Sequence, residues 1–205
     1  MFLSRLKMPL GDPAAQRLLA DPYELHRALM AAFPPKAGRV LFRVEPLGRT
    51  ETQACVLVQS TTQPHWGPER LPPSMVSDVK PYHPVLTVGQ RLRFRLRANP
   101  TVRRKFTDRA EGLRVGVVGE ERQRAWLEAK GKAAGFQPEG VVVIDEGQMT
   151  GRKPTGDHRL IFQSVRYEGA LSVTDAELLL AAVARGIGSG KAFGFGLLSV
   201  ARASP

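Results

Sequence analysis

The sequence predicts an α+β fold built as two tandem ferredoxin-like units, each an antiparallel sheet backed by helices. Three observations predict it. Strand and helix patterns follow one another in roughly the same order twice. A stretch rich in Pro, Ser and Thr, residues 61–89, separates the two series. The 205 residues, 42% hydrophobic and 24% charged, supply an ordinary apolar core for one large domain or two small ones. The division is expected between residues 1–86 and 87–205.

Residues 2–8 alternate apolar and polar positions as a strand does. Asp12-Pro13 opens a helix with a capping carboxylate and a proline at the first helical position. Asp21-Pro22, with Glu24 three residues after the aspartate, renews or kinks that helix, which is expected to reach about Phe33 before Pro34-Pro35 stops it. Residues 39–46 and 54–60 read as strands, and one short strand is expected near Val79. The second series gives a strand at 90–97, a helix at 120–134, two long strands at 141–149 and 159–168, and a helix at 174–185. Thr174 and Glu177 have the spacing of a capping box for that last helix. A glycine-rich loop and a final strand, 193–200, close the chain.

The formal net charge of +11 predicts attraction to a polyanion, with nucleic acid first and an anionic membrane surface second. Arg5 and Lys7 interrupt the N-terminal apolar residues, and no run is long enough for a membrane span. Cys55 is the only cysteine, so neither an intrachain disulfide nor a thiolate cluster can form. A cytoplasmic location fits these features.

Three segments concentrate the charge. In residues 91–105, RLRFRLRANPTVRRK, four arginines (91, 93, 95 and 97) alternate with Leu92, Phe94 and Leu96. On a strand these line one face at intervals of about 6.6–6.8 Å. Arg103, Arg104 and Lys105 extend the patch, and the segment holds no acidic residue. Such a pattern suits a phosphate backbone; a face paired with carboxylates from elsewhere is the alternative. The expected hairpin 149–160 carries Arg152, Lys153 and Arg159 at or near its tip, either as a reach into a groove or as a charged β-turn. The last segment, Gly186 to Gly196, has glycines 186, 188, 190, 194 and 196 around Lys191. It can bring backbone amides close to a phosphate or simply pack tightly. It is not a Walker A loop, because Gly186 is one residue too close to Gly190-Lys191 and Ala192 replaces the hydroxyl residue.

In DPYELHRAL, residues 21–29, Leu25, Ala28 and Leu29, with Ala32, fall on one side of a helix. Tyr23, His26, Arg27 and Met30 fall on the other. Tyr23 and His26 are neighbours three residues apart, a spacing that suits an acid–base site and is also an ordinary surface pattern. His65, His83 and His158 are scattered, with no zinc-ligand spacing, and no carboxylate cluster points to a two-metal nuclease. Neither a metal nor another cofactor is expected.

Three of these segments, DPYELH, LRFRLRANP and RGIGSGKAFGFGLLSV, resemble in order the motifs of CasE-type endoribonucleases. These are the members of the wider repeat-cleaving family that mature crRNA in type I-E CRISPR systems. The resemblance spans almost the whole chain; residues 61–80 and 101–119 are its divergent stretches. It implies two ferredoxin-like, RRM-like domains that bind the stem-loop of each CRISPR repeat in a precursor RNA. It implies one cut at the base of the stem, leaving a 2′,3′-cyclic phosphate and a 5′-hydroxyl. The partners implied are the repeat RNA, as precursor and as mature crRNA, and the other subunits of the Cascade complex, with no membrane partner.

Carried over residue by residue, the family's catalytic histidine falls on His26 and its tyrosine on Tyr23. An imidazole of ordinary pKa can carry one of the two proton transfers, as base or as acid. Arg27 is a candidate to hold the scissile phosphate. Arg152, Lys153 and Arg159 fall on the stem-reading hairpin, and Lys191 on the glycine-rich loop as a phosphate contact. Arg97, Arg103 and Arg104 are further candidates for backbone binding. A non-catalytic hairpin-binding module of the same fold would bind RNA and leave it intact, and a basic scaffold protein would show no preference for a hairpin.

Overall fold

Alternation over Phe2–Pro9 turns Ser4, Leu6 and Met8 inward and Arg5 and Lys7 outward, and in the computed structural model this segment is strand β1. The structure describes residues 1–67, 72, 74–105, 112–152 and 159–202. Two helices follow, α1 (Pro13–Ala20) and α2 (Pro22–Met30), broken where a single longer helix is one expectation. Pro22 has no N–H for the α1 ladder, and Asp21 before it takes the extended backbone that a following proline favours. The Asp21 carboxylate instead caps α2, accepting from the backbone N–H of Tyr23 at 2.8 Å and of Glu24 at 3.3 Å. This restart sets the direction in which α2 presents Tyr23 and His26.

Strands β2 (Val40–Val44), β3 (Gln53–Ser60) and β4 (Val76–Pro81) complete a four-stranded sheet in the order β2-β3-β1-β4. The second sheet has the order β10-β5-β9-β8, from β5 (Arg91–Ala98), β8 (Phe136–Arg152), β9 (Arg159–Val173) and β10 (Leu198–Arg202). Every pairing in both sheets is antiparallel. Numbered within its own unit, each sheet reads 4-1-3-2, the ferredoxin-like order. Helices α3 (Glu120–Ala133) and α4 (Ala176–Arg185) back the second sheet. In the first unit, no second helix stands among the described residues between β3 and β4; Trp66 and Met75 pack there against the core instead.

Each sheet has its own core. Leu6, Met8, Leu25, Leu29, Phe42 and Val56 centre the first; Leu92, Leu96, Leu127, Phe136, Tyr167 and Leu179 centre the second.

Two local expectations are corrected, and one unassigned stretch gains structure. The cap of α4 is Asp175, which accepts from the Leu178 N–H at 2.9 Å, while the Thr174 N–H goes to the Gly135 carbonyl. Residues 101–119, without an assigned element in the sequence, contain a two-stranded hairpin of β6 (Thr101–Arg104) and β7 (Leu113–Gly116). The final strand begins at Leu198 rather than at 193, because Gly194 and Gly196 hold φ of 82° and 89° and so break the extended chain. A 3-10 turn, Lys191–Phe193, precedes it.

Candidate functional site

The apolar stripe of α2 buries Leu25 and Leu29 in the first core, leaving Tyr23 and His26 half-buried on a different side. That side packs on the Lys191–Phe193 turn. The Tyr23 ring centroid is 6.0 Å from that of Phe193, and the His26 ring stacks on Phe42 of β2 at 6.0 Å with 16° between planes. Phe193 packs in turn on Phe162 of β9 at 4.6 Å, and Phe195 joins the same cluster. Gly151 of β8 lies so close that a Cβ there would stand 2.4 Å from the Phe193 ring. Helix, glycine-rich loop and the long β8–β9 hairpin therefore converge on one aromatic cluster.

Burial alone lowers the His26 pKa below its ordinary 6.5, and the ring's Nδ1 is buried with no hydrogen-bond partner among the described residues. A charged imidazole donates from both nitrogens, so this pocket favours the neutral ring, which needs only one acceptor. The folded pKa lies below the unfolded one. The associated stability is therefore complete above pH 6.5 and is lost as pH falls through the folded midpoint. Thermal melting from pH 8 down to pH 4 is expected to show this loss in the natural chain and a smaller one in His26→Asn; equal losses would contradict it.

Beside the turn lies a groove of about 650 Å³ lined by Arg39, Arg103, Arg114, Lys130 and Lys191, without a carboxylate among its lining residues. The Lys191 ammonium donates to the Gly188 carbonyl at 3.0 Å. Its pKa is pushed down, first by burial and then by the positive charges of Arg39 and Lys130. An anion in the groove would relieve that repulsion. The loop is fixed by tight contacts as well as by backbone bonds. All five glycines, 186, 188, 190, 194 and 196, have positive φ, and a Cβ on Gly190 would come within 2.8 Å of Phe195. The buried Asn99 amide donates to Ser189 Oγ at 3.2 Å and accepts the Gln163 N–H at 3.0 Å, tying the loop to β9.

Structure and sequence expectation part company on the arginine strand. Arg91 pairs with Glu139 at 2.9 Å, and Arg95 with Glu45 at 2.5 Å and Glu168 at 2.9 Å. Arg97 pairs with Glu146 at 2.6 Å, with its guanidinium 5.4 Å from the Phe195 centroid. The alternation is thus largely the face paired with carboxylates from elsewhere, and Arg97 is not brought to the groove. Arg103 is brought there, and Arg104 lines an adjacent groove with Val102, Val118 and Trp126. Arg27 is exposed and paired with Glu24 at 2.9 Å. Arg152 and Arg159 face one another across the end of the hairpin; Lys153 and His158 lie outside the described residues, as do the side chains of those two arginines.

Several residues of the groove and its surroundings escaped the sequence reading. Arg39, Arg114 and Lys130 come from separate elements and meet only in the fold. Phe193 and Phe195 did carry a signal, since aromatics spaced between glycines have to pack against something. So did Arg43, a charge inside the apolar strand Val40–Val44. Among the described residues, no three His, Cys, Asp or Glu side chains gather as a metal site, and no helix is long and apolar enough to cross a membrane.

Two ferredoxin-like sheets, and a carboxylate-free basic groove at a turn on which the helix of the half-buried His26 packs, mark a class of protein suited to binding a polyanion. Comparison with known proteins agrees: the family described as CRISPR associated protein matches residues 1–202, and this chain belongs to it. CRISPR-associated endoribonuclease Cse3 of Thermus thermophilus is 40% identical over 215 aligned positions, covering 98% of this chain and 100% of Cse3. The CRISPR system Cascade subunit CasE of Escherichia coli is 36% identical, covering 88% of this chain and 92% of CasE. The structure of Thermus thermophilus Cse3 bound to an RNA representing a pre-cleavage complex superposes with a TM-score of 0.86 at 38% identity, over 98% of each chain.

Proposed function

We infer that this chain is an endoribonuclease that cuts CRISPR precursor RNA at the base of each repeat stem-loop and stays on the mature crRNA as a Cascade subunit. One observation carries the reading. In a chain that matches an endoribonuclease over 98% of its length, the helix with Tyr23 and His26 packs on the Lys191 turn, beside a groove of basic side chains. Residues 1–86 are the unit with the catalytic helix, and residues 87–205 the unit with the basic hairpin and glycine-rich loop. The chain acts in the cytoplasm, where precursor RNA and the other subunits are to hand.

In the reaction, the 2′-oxygen bonds to the adjacent phosphorus and the bond from phosphorus to the 5′-oxygen breaks. One proton leaves the 2′-hydroxyl and one reaches the departing oxygen, giving a 2′,3′-cyclic phosphate and a 5′-hydroxyl. His26 carries one of these transfers, and its neutral resting state suits it to the first, as base. Tyr23 orients the reacting groups, and Arg27, on the same helix, exchanges Glu24 for the scissile phosphate. Arg39, Arg103 and Lys191 hold the backbone, while Arg152, Lys153 and Arg159 read the stem. Neither a metal nor a cofactor takes part in this scheme.

Single-turnover cleavage across pH tests the base assignment. The rate is expected to rise with pH through a midpoint below 6.5 and then level off; a rate that falls with pH across that range would make His26 the acid. Mass analysis of the products should find the cyclic phosphate, and a 3′-hydroxyl in its place would refute the mechanism. The groove has its own test. Lys191→Ala and Arg39→Ala are each expected to weaken hairpin binding by about tenfold at low salt and to make the log Kd against log salt slope shallower by about one. Unchanged slopes would place the RNA elsewhere.

A further inference from the structure

Arg43 stands on β2, one residue before its end, with 2% of its surface exposed, among the largest fully buried side chains of the described residues. A charge in such a place persists only when its hydrogen-bonding capacity is met, and here the partners come from both units. Its Nη1 donates to the carbonyls of Arg95 on β5 and of Leu197, each at 3.0 Å. Its Nη2 donates to Ser199 Oγ of β10 at 2.9 Å and, with Nε at 2.9 Å, to Glu45 Oε1. The other Glu45 oxygen holds Arg95, which closes the arrangement across the two sheets.

Leu197 is the residue at which the chain leaves the glycine-rich loop. Side chains alternate along a strand, so Phe42, next to Arg43, points to the opposite side of β2. There it stacks on His26 and lies against the loop, where a Cβ on Gly194 would meet the Phe42 ring at 3.2 Å. Leu41 approaches Gly186, at the loop's other end, within 2.8 Å of where a Cβ would stand. One short strand of the first unit thus touches the second unit's loop at entry, middle and exit, and also backs the histidine.

We propose that Arg43 is a positioning residue for RNA cleavage, clasping the exit of the glycine-rich loop to β2 so that His26 and the loop keep a fixed separation across the two units. Arg43 touches no RNA. It sets where Phe42 and the loop stand relative to one another, and a displacement of about 1 Å between reacting groups can cost about 100-fold in rate. This role rests on the reading of His26 and the loop as the cleavage site.

The test compares the natural chain with Arg43→Met, Arg43→Lys and His26→Ala in three measurements: single-turnover cleavage of the repeat hairpin at saturating protein, hairpin affinity, and amide exchange at Ile187 and Gly196. Those two amides donate to Gly196 and Arg97 carbonyls inside the loop's frame. Arg43→Met is expected to cut about 100-fold more slowly, to bind within about threefold of the natural chain, and to exchange both amides at least about tenfold faster. Arg43→Lys keeps the charge, cannot reach all four partners, and is expected to fall between the two. Natural rate and natural exchange in Arg43→Met, or a rate loss matched by an equal loss of affinity, would overturn the proposal. If Arg43→Met fails to fold, the same outcomes in Arg43→Lys decide it. Undiminished cutting by His26→Ala would instead refute the site reading, while the exchange measurement would still report whether Arg43 holds the loop.

Discussion

His26→Ala is expected to cut the repeat hairpin about 10³-fold more slowly than the natural chain in single turnover, while binding it within about threefold. The two readouts separate because the ring and the groove do different work. In the proposed mechanism the imidazole on α2 is the proton carrier, stacked on Phe42 with its pKa lowered by burial. The basic side chains proposed to meet phosphate stand on the glycine-rich loop, β6, β7, α3 and the segment before β2. On that mechanism, removing the ring takes away a transition-state proton transfer and leaves those charges in place. A cleavage assay with excess protein, paired with an affinity measurement on uncut RNA, checks both halves. Retained cutting would mean that another group moves the proton, and lost binding would mean that His26 contacts RNA in the ground state.

Phe193→Ala is expected to have the second largest effect, this time on both stability and activity. Phe193 is 5% exposed, within contact of Phe162 and Tyr23, and Gly151 abuts its ring. Truncating a buried phenylalanine costs about 3–5 kcal/mol through lost burial and the cavity left behind. The cavity would open where α2, the loop and the β8–β9 hairpin meet, so cleavage is expected to fall by about 100-fold at a temperature where the variant is still folded. Denaturant unfolding and single-turnover rates measure the two effects. A variant that loses the stability yet cuts at the natural rate would show that the cluster holds the fold without aligning the site.

The antiparallel strands were legible because their cause is local. In β1 and β5 the period-two pattern assigns each residue to a face, and the same pattern buries Leu92, Phe94 and Leu96. The Asp-Pro pairs announced both N-terminal helices for the same reason, since a cap and its proline act within one turn. Partners across the fold were not legible. Which face of β5 meets carboxylates depends on Glu45, Glu146 and Glu168, and these approach the arginines only once β2, β8 and β9 are assembled. The basic groove is similar: Arg39 and Lys130 are far from Lys191 in sequence and share its groove in space. The glycine-rich loop lay between these cases. Its composition announced close approach, but its density of positive-φ residues delayed the last strand beyond where apolar content alone put it.

The most direct test of the central claim is to incubate the purified natural chain with its cognate repeat RNA in excess EDTA, beside a copy of that RNA carrying a single 2′-deoxy substitution at the cut. The account predicts one cut at the base of the stem in the unmodified RNA, unaffected by the chelator, and none in the deoxy copy. Tight binding of both RNAs with neither cut, or cutting of the deoxy copy, would contradict it.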